Sequence, residues 1–412
     1  MKFEDFLYTK DGADLFEKTQ GLDEVLSSGV MTGSEGLGIR LLEKTSPEVK
    51  IKERSGSEHS VIMLGSNSYL NLTTNKKVCE AAMRAIGDFG YGMGAVSVYA
   101  GITQLHKELE KRIANFYGCE DAVLFPSGYG TNIGVISALC SKNDVIINDS
   151  ANHASIFDGS KLSGANLKVY PHGDIKALER ILEKLKNTAA AKLIITDGVF
   201  SMYGDIAKLD AICDLAGHYG AKVMVDDAHG LGIVGSTGRG SAQVFGVEKR
   251  IDLNVGMLSK TAGAIGGYCA TTRKIAQYLR HYARSYFFST ALPAPVVAGL
   301  NEVFKLLEHD RAGRKELWEN ITFLKEKLNK AGFNTENTQS GIIPIVIGDE
   351  QLLFKMHQDL RLSGVYVNIV TYPAVRRKDC RLRLCVMKDL TKVQIEKAVD
   401  IITKIGKKYG VI

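Results

Sequence analysis

The sequence predicts an α/β fold in which a mainly parallel sheet is covered by helices and followed by a smaller α+β unit. Three observations carry this. Strand-like and helix-period segments alternate from about residue 78 to 290, the pattern of parallel strands joined by crossover helices. After Pro293 the texture changes to long amphipathic helices, a few strands and a closing helix. The chain of 412 residues also exceeds a usual single domain, which leaves room for two units sharing a core. The expected organisation is an N-terminal arm over 1–55, a large domain over 56–292 and a small C-terminal domain over 293–412.

The strands expected in the large domain are short apolar runs at 122–125, 144–148, 193–196, 222–226, 253–258 and 267–271. Helices are expected at 105–117, at about 128–139, and at 175–186, 209–219 and 275–286, where apolar residues recur at helical spacing. Beyond Pro293, helices are expected at 296–307 and 317–330. The final helix opens with Thr391 and carries Gln394 three positions on, the spacing of a capping box. The first 55 residues read as polar and irregular, an arm that packs on a neighbour.

Composition narrows the function. Hydrophobic residues make up 45% and charged residues 24%, ordinary values for a globular enzyme. The net charge of +6 comes from 52 basic and 46 acidic residues spread along the chain, which argues against nucleic acid and leaves a mild bias toward anionic substrates. No apolar run reaches bilayer length, and Met1-Lys2-Phe3-Glu4-Asp5 does not resemble a signal peptide, so a cytoplasmic location is expected. Seven cysteines form no Cys-x-x-Cys pair, which points to reduced thiols and to no metal site.

Lys260 lies between an apolar, strand-like run and the glycine-rich stretch from Gly263 to Gly267. That setting suits a lysine that loses its proton and forms a Schiff base with a cofactor aldehyde. A lysine ending a strand for solubility is the competing account. The strand 222–226 runs into Asp226, Asp227, Ala228 and His229, delivering carboxylates and an imidazole where ligands bind in α/β sheets. A buried carboxylate there can pair with a protonated heterocyclic nitrogen; equally, the aspartates can cap a turn. The next residues, Gly230-Leu231-Gly232-Ile233-Val234-Gly235, spell the dinucleotide-binding pattern. That pattern needs a helix to open in the turn, but turn-forming residues follow here, so a nicotinamide enzyme is disfavoured.

Pro126-Ser127-Gly128-Tyr129-Gly130 joins a strand to a helix. Its glycines and the helix N-terminus can cradle one phosphate, although a plain strand-to-helix turn would look the same. His153 follows the strand 144–148 and can stack on a planar cofactor or serve structurally. Ser201 also follows a strand and can donate to a ring hydroxyl or phosphate, or be a loop serine. In Cys380-Arg381-Leu382-Arg383-Leu384 the arginines share one face of a strand. A buried face would let them hold a carboxylate bidentately, whereas a solvated edge strand would not. Asn67, in Gly65-Ser66-Asn67-Ser68-Tyr69, offers an amide to the same carboxylate.

Taken in this order, these segments resemble the α-oxoamine synthases, pyridoxal 5′-phosphate (PLP) dependent enzymes of fold type I. The resemblance runs from about residue 60 to the end. Segments 66–70 and 152–156 are similar to the serine palmitoyltransferase and 2-amino-3-ketobutyrate CoA ligase branches, and 8-amino-7-oxononanoate synthase is a third branch. The resemblance implies a PLP-dependent transferase fold with a mainly parallel seven-stranded sheet. It makes Lys260 the Schiff-base lysine, Asp226 the partner of the pyridine nitrogen, His229 the donor to the ring hydroxyl and His153 the stacking residue. Gly128 and Tyr129 would serve the phosphate, Ser201 would contact the cofactor, and Asn67 with Arg383 would take the substrate carboxylate.

Departures from the pattern stand at Met257, where the family usually has threonine or serine, and at Ser97, Tyr203 and Arg376-Arg377. Ser259 and Thr261 are candidates to replace the hydroxyl missing at 257. The implied reaction is decarboxylative condensation of glycine, serine or alanine with an acyl thioester of CoA or acyl carrier protein, in a homodimer. Another fold-type-I activity, an aminotransferase or lyase, is the alternative, as is a catalytically silent partner subunit.

Overall fold

The computed structural model describes residues 12, 14–27, 38–309 and 311–412; the rest of the expected arm lies outside the described residues. Short strands β1 (Arg40–Leu41) and β2 (Glu48–Lys52) lead into β3 (Glu58–Met63). β2 and β3 form an antiparallel hairpin across the boundary expected at residue 55. Residues 40–41 and 48–52 are therefore strand, while 42–47 between them are irregular as expected. The Glu-Val-Lys-Ile-Lys run of β2 alternates exposed and buried side chains, a period-2 signal hidden by the polar composition around it.

The large sheet contains β4 (Asp121–Phe125), β5 (Val145–Asp149), β6 (Asn166–Tyr170), β7 (Lys192–Asp197), β8 (Lys222–Asp226), β9 (Leu253–Met257) and β10 (Gly267–Thr271). Its order is β4-β10-β9-β8-β7-β5-β6. β9, β8, β7, β5 and β6 run parallel, while β10 is antiparallel to both its neighbours. This is the seven-stranded, mainly parallel sheet that the resemblance implies. The strand reading missed β6 because this edge strand, Asn-Leu-Lys-Val-Tyr, buries only its last side chain fully. It also missed the helix Ala154–Ser163. The helix expected over 275–286 is two, Arg273–Tyr282 and Arg284–Phe287, because Ala283 between them is extended (ψ 103°).

β7, β8 and β9 are buried along nearly their whole length around apolar centres, as strands covered by helices on both faces must be. One apolar core, including Val123, Ile146, Ile195, Met224 and Val255, lies on one side of the sheet. Another, including Ile147, Ile194, Val223 and Val225, lies on the other. Long helices Ala294–His309 and Arg311–Lys330 follow. β11 (Ile342–Val346), β13 (Asn368–Val370) and β14 (Arg381–Cys385) then form a sheet in the order β11-β14-β13, and β12 (Val365–Tyr366) pairs in parallel with β3. The closing helix Lys392–Lys408 has the expected capping box between Thr391 and Gln394.

Candidate active site

Five parallel-running strands end on the same side of the large sheet, and each hands over a candidate residue just past its carboxyl end. β4 leads to Gly128 and Tyr129, β5 to His153, β7 to Ser201, β8 from Asp226 itself to His229, and β9 to Ser259 and Lys260. Because the strands share direction and register, positions scattered over more than 130 residues of sequence meet at one edge. Gly128, Tyr129, His153, Ser201, Asp226, His229, Ser259 and Lys260 all line a cavity of about 520 Å³, together with Asp197, Val199, Ala228 and Met257.

Asn67 and Arg383 stand beside this cavity. Arg383 donates to Asn67 Oδ1 from both terminal nitrogens, at 3.3 and 3.2 Å, and from Nε to the Ser201 carbonyl at 2.5 Å. β14 is the central strand of its sheet and all five of its residues are buried. The solvated-edge reading of the arginine strand is therefore excluded. Arg381 on the same face turns elsewhere, to Glu336 and the Met202 carbonyl.

The phosphate cradle is the N-terminus of the helix Gly128–Leu139, capped by Ser127, whose side chain accepts from the Gly130 amide. The first-turn amides of such a helix have no intrahelical acceptors and carry positive potential. A Cβ at residue 128 would come 1.9 Å from Met257 Sδ, so any larger residue there requires the methionine to shift. The thioether thus packs directly against the cradle. Of the two candidate substitutes for the missing hydroxyl, Ser259 lines the cavity and Thr261 does not. Thr261 is fully buried, its hydroxyl has no partner, and its methyl faces Gly232.

Electrostatics follow from burial. Burial, then the field of Arg383, push the Lys260 ammonium below its ordinary range, favouring the neutral amine that a nucleophile or base needs. Burial raises the Asp226 carboxyl, while bonds from Asn132 and the Ala228 amide and the charges of His153 and Lys260 pull it back. Asn132 Nδ2 donates to Asp226 Oδ2 at 2.7 Å and to Ser155 Oγ at 2.8 Å. Ser155 Oγ in turn lies 2.7 Å from His153 Nδ1. Burial also raises Asp197, helped by the charge of Asp226, and takes Asp227 to about 7. A cavity whose floor is a buried carboxylate, with no cation bonded to it, suits a ligand that brings a positive charge, as a protonated pyridine does.

His229 is driven well below its ordinary range by burial and then by Arg383, Lys260 and His153, and its Nδ1 lies 2.8 Å from the Tyr69 hydroxyl. Sequence reasoning did not assign roles to Asn132, Ser155, Asp197 or Tyr69. Asn132 and Tyr69 stand within segments already singled out, so neighbourhood was the available signal. Nothing local marks Asp197 except its place at the end of a strand. The Gly230–Gly235 pattern is a turn in which Leu231 bridges to Arg239, and the next helix begins only at Ser241, so it offers no helix N-terminus to a dinucleotide. Among the described residues, no group of three or more His, Cys, Asp or Glu side chains is placed to hold a metal ion.

Fold and site together define a PLP-dependent enzyme of fold type I. Residues 59–402 match the family described as aminotransferase class I and II. The 8-amino-7-oxononanoate synthase of Thermoanaerobacter pseudethanolicus is 42% identical over 352 residues, 85% of this chain and 89% of that protein. Its Bacillus subtilis counterpart is 41% identical over 351 residues, again 85% and 89%. Among solved structures, the serine palmitoyltransferase of Sphingomonas wittichii superposes with a TM-score of 0.91 at 33% identity, covering 97% of this chain and all of that one. That of S. paucimobilis, with bound PLP–myriocin, gives 0.91 at 32% over the same shares. The chain belongs to the aminotransferase class I and II family, and within it to the α-oxoamine synthases.

Proposed function

We propose that this protein condenses a small amino acid, glycine, serine or alanine, with an acyl thioester of CoA or acyl carrier protein. A carbon–carbon bond forms between the amino-acid Cα and the acyl carbon, and the carbon–sulfur bond breaks to release the thiol carrier. The bond from Cα to the carboxyl carbon breaks to release CO2, leaving an α-amino ketone. The observation that supports this most is the convergence of Lys260, Asp226, His229 and His153 on one cavity, with the Arg383–Asn67 pair beside it.

PLP, when bound, supplies an electron sink for the charge that develops at Cα. The chain does the rest. Lys260 Nζ would hold the cofactor covalently and, once the substrate amine has displaced it, would take the α-proton, a task helped by burial that lowers its pKa. Asp226 would keep the ring nitrogen protonated, and His229 would donate to the ring hydroxyl. His153 would stack on the ring. Gly128, Tyr129 and Ser259 would hold the phosphate, and Ser201 would contact the cofactor. Arg383 and Asn67 take the substrate carboxylate.

A homodimer fits this reading, because Met83, Ile86, Phe89, Tyr91 and Tyr99 are all exposed within residues 83–99. Among the described residues no helix is long and apolar enough to cross a membrane, and a cytoplasmic location belongs to the same proposal. So do a large domain over 56–292 and a small one over 293–412. The test is a screen of the three amino acids against acyl-CoAs of graded length, reading free thiol and CO2. Both products are expected, and Lys260→Ala should lose them together with the visible absorption of the PLP-loaded protein. Amino-group transfer to a keto acid with neither product would overturn the assignment. A wild-type protein that stays colourless with PLP would point to a silent partner subunit.

A further inference from the structure

Tyr203 stands outside the cavity, yet two basic side chains hold its ring. Its ring stacks on His172, with centroids 4.9 Å apart and planes at 28°, and the Arg381 guanidinium lies over it at 4.6 Å from the centroid. His172 is itself fixed, with Nδ1 3.1 Å from Asp149 and Nε2 3.1 Å from Asp205. Burial disfavours its charged form, but these two carboxylates outweigh that and hold its pKa at about 10, so the imidazole is a cation at neutral pH. Two cations thus lie against one ring, the geometry in which an aromatic quadrupole attracts positive charge. An acidic residue is usual in this segment of the resembling family; here the ring does by its faces what a carboxylate would do by its charge.

The sandwich sits on the turn that carries Ser201. The Tyr203 and Gly204 amides both donate to the Phe200 carbonyl, and Arg381 donates to the Met202 carbonyl. Thr338 and the Gln339 amide clasp the Gly204 carbonyl. From the same turn the Ser201 carbonyl accepts Arg383 Nε. We propose that Tyr203 is a positioning residue: clamped between His172 and Arg381, it holds the 200–204 turn so that the Ser201 carbonyl aims Arg383 at the substrate carboxylate. This rests on the reading of Arg383 as the carboxylate-binding group.

The experiment titrates PLP-loaded protein with glycine, L-alanine and L-serine, and with their decarboxylated counterparts methylamine, ethylamine and ethanolamine, following the visible absorption. Tyr203→Leu should weaken the amino acids about tenfold, the worth of one well-aimed hydrogen bond, and leave the amines within about twofold of wild type. Tyr203→Phe and Tyr203→Trp keep the ring and should restore amino-acid binding. Equal weakening of acids and amines, or none, overturns the proposal. Should Tyr203→Leu fail to fold, Arg381→Met opens the same sandwich from the other side and is read identically. Arg383→Lys separates the two claims. If it leaves amino-acid binding unchanged, the carboxylate reading falls and the proposal with it; if it weakens binding while Tyr203→Leu does not, only the positioning role falls.

Discussion

The Tyr69 hydroxyl and His229 Nδ1 lie 2.8 Å apart, both groups buried. Burial keeps the Tyr69 phenol protonated far beyond its ordinary range, and Arg383 also bears on its oxygen. Arginine can only donate, so the phenol proton is free to go to His229. With the phenol donating to Nδ1, the imidazole proton would sit on Nε2, the nitrogen that the proposed function directs to the cofactor ring hydroxyl. Tyr69→Phe removes the tautomer control without opening a cavity, and kcat should fall about tenfold, the net worth of one hydrogen bond. Steady-state kinetics with the PLP-saturated variant check it; an unchanged kcat would contradict the assignment.

His229 also writes a pH dependence into stability. Its folded pKa is depressed, so it stays neutral in the folded protein while the unfolded chain takes up a proton as pH falls below the ordinary value of 6.5. The contribution is whole above pH 6.5 and is lost as pH falls below it, by up to about 1.4 kcal/mol per pH unit until the folded state also binds the proton. Denaturant unfolding at successive pH values should show this slope in wild type and a shallower one in His229→Gln.

At the phosphate cradle, Met257 offers a thioether where a hydroxyl could donate. Met257→Thr should tighten PLP retention, and a gained bond to a charged group of about 1.5–3 kcal/mol corresponds to roughly 10- to 100-fold in Kd. Equilibrium dialysis reads this directly. Gly128→Ala should do the reverse, because its Cβ collides with Met257 Sδ; the double variant Gly128→Ala with Met257→Thr should recover part of the loss, since the collision partner is gone.

Asn132 lowers the pKa of Asp226 by donating to it. Asn132→Ala removes that donor, so the carboxyl rises further and is protonated at higher pH. If Asp226 pairs with the cofactor ring as proposed, retention is lost as pH falls through this pKa. The acid limb of a retention-versus-pH curve should therefore move to higher pH in the variant, and a limb that stays put or moves down would refute the link.

Arg361 Nε lies 2.9 Å from Glu53 Oε1, with side-chain exposures of 1% and 4%. The pair ties the turn of the N-terminal hairpin to the helix Glu350–Leu362. Glu53→Ala strands a buried guanidinium and should cost about 3–5 kcal/mol, visible as a lower denaturation midpoint. A double change to apolar residues of similar volume should cost far less.

How much of this was legible depended on how local each signal was. The strands β7, β8 and β9 announce themselves as apolar runs because both their faces are covered, and the cap at Thr391 needs only three residues. The edge strand β6 and the strand β2 each alternate over only five residues in polar surroundings, too short and too polar a signal to stand out from their neighbours. Arg383 shows the same limit within the site: alternation places Arg381 and Arg383 on one face, but only the flanking strands β11 and β13 make that face buried.

The sequence by itself determined the chemistry available: a lysine, an aspartate, two histidines, a glycine cradle and an arginine, each just past or within a strand. Residue type and spacing suffice for that, because they set what a side chain can donate, accept or lose. Tertiary structure alone decided which of these groups meet and in what ionisation state. Burial and neighbouring charge shift proton equilibria, and both arise from the parallel sheet gathering distant segments at one edge. Lys260 with its ammonium pushed below its ordinary range, His229 within hydrogen-bond distance of Tyr69, and Arg383 tied to the Ser201 carbonyl and Asn67 are outcomes of that gathering.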